Sequence, residues 1–252
     1  MLKKDLKKKL NNLLNFFKIN KGDNLIIHSN SAGLFQFSLK INVKLINDFH
    51  KTILKKIGKN GTLLIPTYNY DFTKTKRYSL KNYSNMGLIS NHLLKKNLKN
   101  RTMEPIFNHL VFGKLRNKFM DANIHECFGK NSSFDLMLKN NFKILCFCCT
   151  PDKITFLHYI EKCSAVKYRY DKNFLGVFQP TKNKSREIRL KYNVGKKSVN
   201  YRIKNKNLST FVKKGLIKKK NFGNFECYLI KAKKLKKIVQ EKININENFL
   251  IK

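Results

Sequence analysis

No window of this sequence approaches the roughly 18 apolar residues that a membrane-spanning helix needs. Nor does the start of the chain resemble an export signal: Met1 to Phe17 alternates Lys with Leu, with no unbroken apolar run before a small-residue cleavage site. Both absences predict a cytoplasmic location. Cysteines number only six and form no paired C-x-x-C elements, so a structural zinc site, or any metal, is not expected. Buried free thiols are the simpler reading. If Ile144–Cys149 is one strand, alternation puts Cys146 and Cys148 on one face and Cys149 on the other. G-x-G-x-x-G, P-loop and G-x-S-x-G patterns are also missing, which weakens dehydrogenase, NTPase and hydrolase readings.

Acidic residues are scarce: 15 Asp and Glu face 54 Lys and Arg, for a net charge of +39. Arginine is scarce as well, at seven residues, and the lysines spread along the whole chain. Phosphate and base-edge recognition favours the planar fork of arginine. The pattern therefore speaks against specific nucleic-acid recognition and resembles the codon bias of an AT-rich genome. The same charge should still attract phosphorylated ligands such as coenzyme A and nucleotide sugars.

What is present is a globular composition, 42% hydrophobic and 27% charged over 252 residues, sized for one large domain. Leu6, Leu10, Leu13, Leu14 and Phe17 recur at helical spacing. Asn24–His28, Thr62–Pro66 and Ile144–Cys149 are short apolar runs that read as buried strands. Helical patterns over Val43–Ile57, Gly87–Leu98 and Lys153–Lys162 separate or follow them. The prediction is an α/β fold with a mainly parallel central sheet sandwiched by helices. From about Tyr168 short alternating stretches (Val177–Gln179, Arg186–Tyr192, Phe225–Ile230) suggest a smaller β-containing C-terminal lobe, closed by a basic helix over Ala232–Glu241. Residues 1–170 would form the main sheet region and residues 171–252 the lobe of one domain.

Ligands in open α/β sheets bind beyond the carboxyl ends of strands. Three segments occupy such positions: Ser29–Gly33, Thr67–Asp71 and Thr150–Glu161. In the last, His158 and Glu161 stand three apart on a predicted helix, where both can face one way. A carboxylate beside an imidazole fixes its tautomer and suits a general base; a solvated surface ion pair has the same spacing. His28, Ser29 and Ser31 either hold an anionic or amide group or satisfy local backbone. Tyr68, Tyr70 and Asp71 either line a pocket for a polyhydroxylated cationic ligand or form a turn. His109 reads as structural.

Seven segments in order carry a family resemblance: GDNLIIHSNSAGLF (Gly22–Phe35), GKNGTLLIPTYNYDF (Gly58–Phe72), NYSNMGLISNHLLK (Asn82–Lys95), RTMEPIFNHLVFG (Arg101–Gly113), CFGKNSSFDLML (Cys127–Leu138), DKITFLHYIE (Asp152–Glu161) and VKYRYDKNFLG (Val166–Gly176). Together they resemble the aminoglycoside 3-N-acetyltransferase family over roughly the first two thirds of the chain. The resemblance implies acetyl-CoA in a cleft beyond the strand ends and direct transfer to an acceptor amine. It implies His158 as the catalytic histidine and Glu161 as its orienting carboxylate. Ser29, Ser31, Asn85, Met86 and Gly87 would hold the coenzyme; Tyr68, Asp71, Glu104 and Arg169 would border the acceptor.

Departures from the pattern narrow the acceptor. Glu104 stands where the antibiotic-modifying members have His before the proline, and Asn108 where they have Ser. The Glu-Pro-Ile-Phe form is closer to members acting on amino sugars of surface polysaccharides, which implies an amino-sugar or nucleotide-sugar substrate; a homodimer is compatible. The rival expectation is a catalytically inactive basic protein on the same fold, binding nucleic acid or anionic surfaces.

Overall fold

A computed structural model describes residues 2–38, 43–181 and 183–251; Met1 and Lys252 of the expected domain lie outside the described residues. The first half runs α1 (Leu2–Phe16), β1 (Asn24–Ser29), α2 (Ala32–Phe35), α3 (Val43–Ile57), β2 (Thr62–Pro66), α4 (Phe72–Thr75), β3 (Arg77–Ser79), α5 (Leu88–Lys96), β4 (His109–Gly113) and α6 (Arg116–Met120). The second half runs α7 (Ser133–Lys139), β5 (Lys143–Phe147), α8 (Phe156–Cys163), β6 (Arg169–Thr181), β7 (Lys184–Gly195), α9 (Asn205–Lys213), β8 (Lys218–Phe222), β9 (Phe225–Lys231) and α10 (Ala232–Ile245).

The main sheet has six strands in the order β4-β2-β1-β5-β9-β8. Its centre is parallel, since β1 pairs with both β2 and β5 in that sense. The margins are not: β4 on β2, β9 on β5 and β8 on β9 are all antiparallel. The expected mainly parallel sheet is thus parallel only in its middle three strands. The reason is that the crossover helix α3 returns the chain in the same sense, whereas β9 reaches β5 from an antiparallel hairpin with β8. A second sheet, β3-β6-β7, forms around a long hairpin in which Phe174 faces Leu190. The change of pattern near Tyr168 marks the start of that sheet, while the run Phe225–Ile230 lies in β9 and completes the main one.

Strand alternation sends Leu25, Ile27, Leu63, Ile65 and Leu145 to one face, under α1 and α3. There Leu6, Leu10, Leu13 and Leu14 meet Leu45, Ile46, Phe49 and Ile53, as the helical spacing requires. Ile26, Leu64, Val111, Ile144 and Cys146 face the other way, under α8, α10 and the second sheet. Helices therefore cover both faces. Cys148 breaks the expected alternation. The strand ends at Phe147, and Cys148 turns to φ +58°. That rotation puts Cys146 and Cys148 in opposite cores, where parity alone had put them together. The six cysteines are free; Cys127, Cys146, Cys148 and Cys227 are buried as expected, whereas Cys149 is half-buried and Cys163 exposed.

Where β2 meets β4, Gly113 holds φ +109°, and a Cβ there would lie 2.1 Å from the Gly61 carbonyl oxygen. Only glycine fits such a backbone without strain. Gly113→Ala is expected to lower the unfolding free energy by about 1–3 kcal/mol, read as a lower denaturant midpoint at unchanged slope.

Candidate active site

β1 and β2 end side by side, and the chain leaving each is tied down locally. After β2, Ser90 on α5 donates to the Pro66 carbonyl at 2.7 Å. The Asn85 N–H donates to the Tyr68 carbonyl at 2.9 Å, and Asn85 Oδ1 accepts from the Tyr70 N–H at 2.7 Å. Gly87 precedes α5 at φ +84°, ψ −165°, a backbone that a side chain would strain. These ties hold the 84–90 segment over the strand ends and leave a cleft of about 490 Å³. Around it stand His28, Ser29, Tyr70, Asn85, Met86 and Gly87, faced by Cys149 to Thr155 and His158 from the β5–α8 connection. A larger cavity of about 570 Å³ lies between α1 and α3, but lysines dominate its polar lining and it holds no histidine.

The α8 side of the cleft carries a compact charged cluster. His158 Nδ1 lies 2.6 Å from Glu161 Oε2, and Arg169 Nε forms an ion pair with the same oxygen at 2.7 Å. Tyr168 donates its hydroxyl to Glu161 Oε1 at 2.8 Å. Arg169 Nη2 stands 2.8 Å from His158 Nδ1, and Nη1 donates to the Asn193 carbonyl. A carboxylate oxygen only accepts and a guanidinium only donates, so Glu161 requires a proton on Nδ1 while Arg169 Nη2 requires a lone pair there; the carboxylate contact is the shorter, 2.6 Å against 2.8 Å. The His158 side chain borders the cleft. Glu161 is 0% exposed. Burial pushes its carboxyl up, but His158, Arg169 and Tyr168 together hold it below the usual range.

The expected site residues divide into three groups. His158, Glu161 and Arg169 form one contact cluster. Ser29, Asn85, Met86 and Gly87 line the cleft with His158. Four others lie away from that lining. Ser31 is the residue before α2. Tyr68 is fully buried, its hydroxyl 3.3 Å from His109 Nε2. Asp71 is exposed at the start of α4. Glu104 is 5% exposed, and its oxygens accept from the N–H groups of Ile106 and Phe107 and from the Cys127 thiol.

Asp152, Lys153 and Thr155 fall in the marked segment Thr150–Glu161 without having been named as site residues, and Cys149 lies one residue outside it. Their position just past the end of β5 was the available signal. The sequence reading missed Tyr168, seven residues beyond Glu161 and visible only in three dimensions. His28 is 6% exposed; burial lowers its pKa to about 4, so it is neutral at neutral pH, and its Nε2 has no partner among the described residues.

Burial pushes Glu104 up to about 7 from 4.5, against the lowering effect of its hydrogen bonds. A raised acid binds its proton more tightly when folded, so stability falls as pH rises from about 4.5 to about 7 and then levels off. Wild type is expected to lose stability relative to Glu104→Gln across that window, with a constant difference above it. Parallel denaturant titrations at several pH values check this.

Comparison with known proteins agrees with the geometry. The sequence profile of aminoglycoside 3-N-acetyltransferases matches residues 42–244. Among curated proteins none matches the chain. Among solved structures, AAC(3)-IIb is similar at TM-score 0.78 and 14% identity, covering 95% of this chain and 97% of that one. The AAC-IIIb binary complex with CoASH is similar at 0.76 and 13%, covering 96% of each. The YokD protein from Bacillus subtilis is similar at 0.75 and 14%, covering 96% and 94%. Fold and family together define a coenzyme A-dependent N-acetyltransferase. The chain belongs to the aminoglycoside 3-N-acetyltransferase family.

No group of three or more His, Cys, Asp or Glu able to hold a metal ion occurs among the described residues, and no helix among them is long and apolar enough to cross a membrane.

Proposed function

We propose that this chain, as one cytoplasmic acetyltransferase domain, moves the acetyl group of acetyl-CoA directly onto the amine of an amino sugar. The observation that carries the reading is the 2.6 Å contact between His158 Nδ1 and Glu161 Oε2 on the wall of the cleft. With the Nδ1 proton given to Glu161, the shorter of the two contacts at that nitrogen, the imidazole is oriented and Nε2 is the base. The acceptor nitrogen attacks the acetyl carbonyl and gives its proton to Nε2. The tetrahedral centre then collapses, the thiolate of coenzyme A leaves, and the imidazolium returns the proton to that sulfur. Arg169 and Tyr168 keep Glu161 ionised and in place.

On the coenzyme side, Ser29, Asn85, Met86 and Gly87 supply hydroxyl, amide and backbone groups to the pantetheine arm. The first N–H groups of α5 are available to an anionic oxygen. Ser31, Tyr68, Asp71 and Glu104 act from behind or beside this shell, through the loops that carry the lining residues.

The test is thiol release from acetyl-CoA in the presence of a panel of amino sugars. Release that depends on the amine is expected. Absence of release, with no binding of coenzyme A and with RNA or anionic vesicles bound equally by wild type and His158→Ala, would instead establish the basic binding protein.

A further inference from the structure

Resting on that transferase reading, we infer that the acceptor is an anionic amino sugar, bearing a phosphoryl or nucleotidyl diphosphate group, and not a polycationic aminoglycoside. A polycation needs several carboxylates free to receive its ammonium groups. Those around His158 are already committed. Glu161 serves His158, Arg169 and Tyr168. Asp171 is held by Lys162 and Asn193. Asp152, in the cleft wall, takes Lys153 at 2.8 Å and the Thr150 hydroxyl. Glu104 is turned inward onto backbone N–H groups. Asp71 is exposed one residue beyond the cleft-lining Tyr70, which provides for one ammonium and not for several.

Cations, in contrast, are concentrated in the segment that follows β7. The Lys196 N–H donates to the Tyr168 carbonyl at 2.9 Å, and the Tyr201 ring lies 5.7 Å from the Arg169 guanidinium. The segment after β7 is therefore a wall beside the His158 cluster. From Ile188 to Phe225 the chain has no Asp or Glu and twelve Lys and Arg, with Lys196, Lys197 and Arg202 nearest Tyr201 in sequence. In the cleft lining Lys153 is 65% exposed, its ammonium shared with Asp152 at 2.8 Å in a solvent-screened pair. With a net charge of +39 behind these groups, the potential at the cleft favours an approaching anion and opposes a polycation. Screening over about 8 Å at physiological salt trims the long-range part and leaves the contacts at the rim.

The experiment compares glucosamine, glucosamine 6-phosphate, UDP-glucosamine and kanamycin at saturating acetyl-CoA, at low salt and with added potassium chloride. Thiol release with either phosphorylated sugar is expected to exceed glucosamine at least tenfold in kcat/KM, through KM, with an advantage that shrinks as salt rises; kanamycin is expected to fall below glucosamine. The two phosphorylated arms distinguish a sugar phosphate from a nucleotide sugar. A Lys196→Glu, Lys197→Glu variant should raise KM for the phosphorylated acceptor several-fold while kcat and the glucosamine reaction hold. Kanamycin as the best acceptor, or glucosamine equal to its phosphates, overturns this inference alone. Release with none of the four overturns it together with the transferase reading.

Discussion

His158→Ala is expected to lower kcat of acceptor-dependent thiol release by about 10²–10⁴-fold, the usual worth of a general base, while the unfolding midpoint stays close to wild type. The two halves of this expectation come from different neighbours. The imidazole is 25% exposed and borders the cleft, so its loss leaves no sealed cavity. Glu161 loses one partner but keeps Arg169 and Tyr168. The carboxylate therefore remains paired and the interior around it remains ordered. Glutamine at 158 fills the space without a basic nitrogen and should be as inactive as alanine. Steady-state assays beside a denaturant titration check both halves; near-normal turnover in either variant would remove His158 from the chemistry.

Glu161→Ala should take stability as well as activity. Glu161 is 0% exposed and the Arg169 side chain 2% exposed, so the substitution strands a guanidinium in the interior. Breaking such a buried pair on one side costs about 3–5 kcal/mol, because the remaining charge has lost its partner. Replacing both members with apolar residues, as in Glu161→Leu with Arg169→Met, should recover much of the stability and none of the activity. The pH dependence follows the same carboxylate. Its folded pKa lies below 4.5, so its contribution is complete above that value and is lost as pH falls through the lower folded value. If the double variant is as unstable as the single one, the ion pair is not the source of the loss.

Much of this architecture was legible because its signals are local. The Leu6–Phe17 spacing gave α1, and three apolar runs gave β1, β2 and β5, the parallel centre of the sheet. His158 and Glu161 share a helix, so their meeting needed only a period of 3.6 residues. What stayed hidden depends on long-range pairing. The hairpin β6–β7 is longer than its alternating fragments suggested, since exposed apolar residues such as Leu175 and Val177 stand among its lysines and arginines and break the period-2 pattern. The partners β9 and β5 are far apart in sequence, so no window contains both. Short α7 and α9 went unread because their apolar stripes are too brief to outweigh the polar residues beside them. Arg169 was marked through the family pattern, yet its role as the ion-pair partner of Glu161 is a fact of folding.

The position of β9 has a consequence for how the molecule is made. β5 leads into the cleft, and on one side its hydrogen-bonding edge is filled only by β9, a strand that follows β6, β7, α9 and β8 in the chain. During translation the N-terminal strands can pair while β5 still presents an open edge, a surface that invites association with other chains. The chain's many lysines then act as gatekeepers, since the strong mutual repulsion of nascent chains keeps that edge unpaired until β9 arrives.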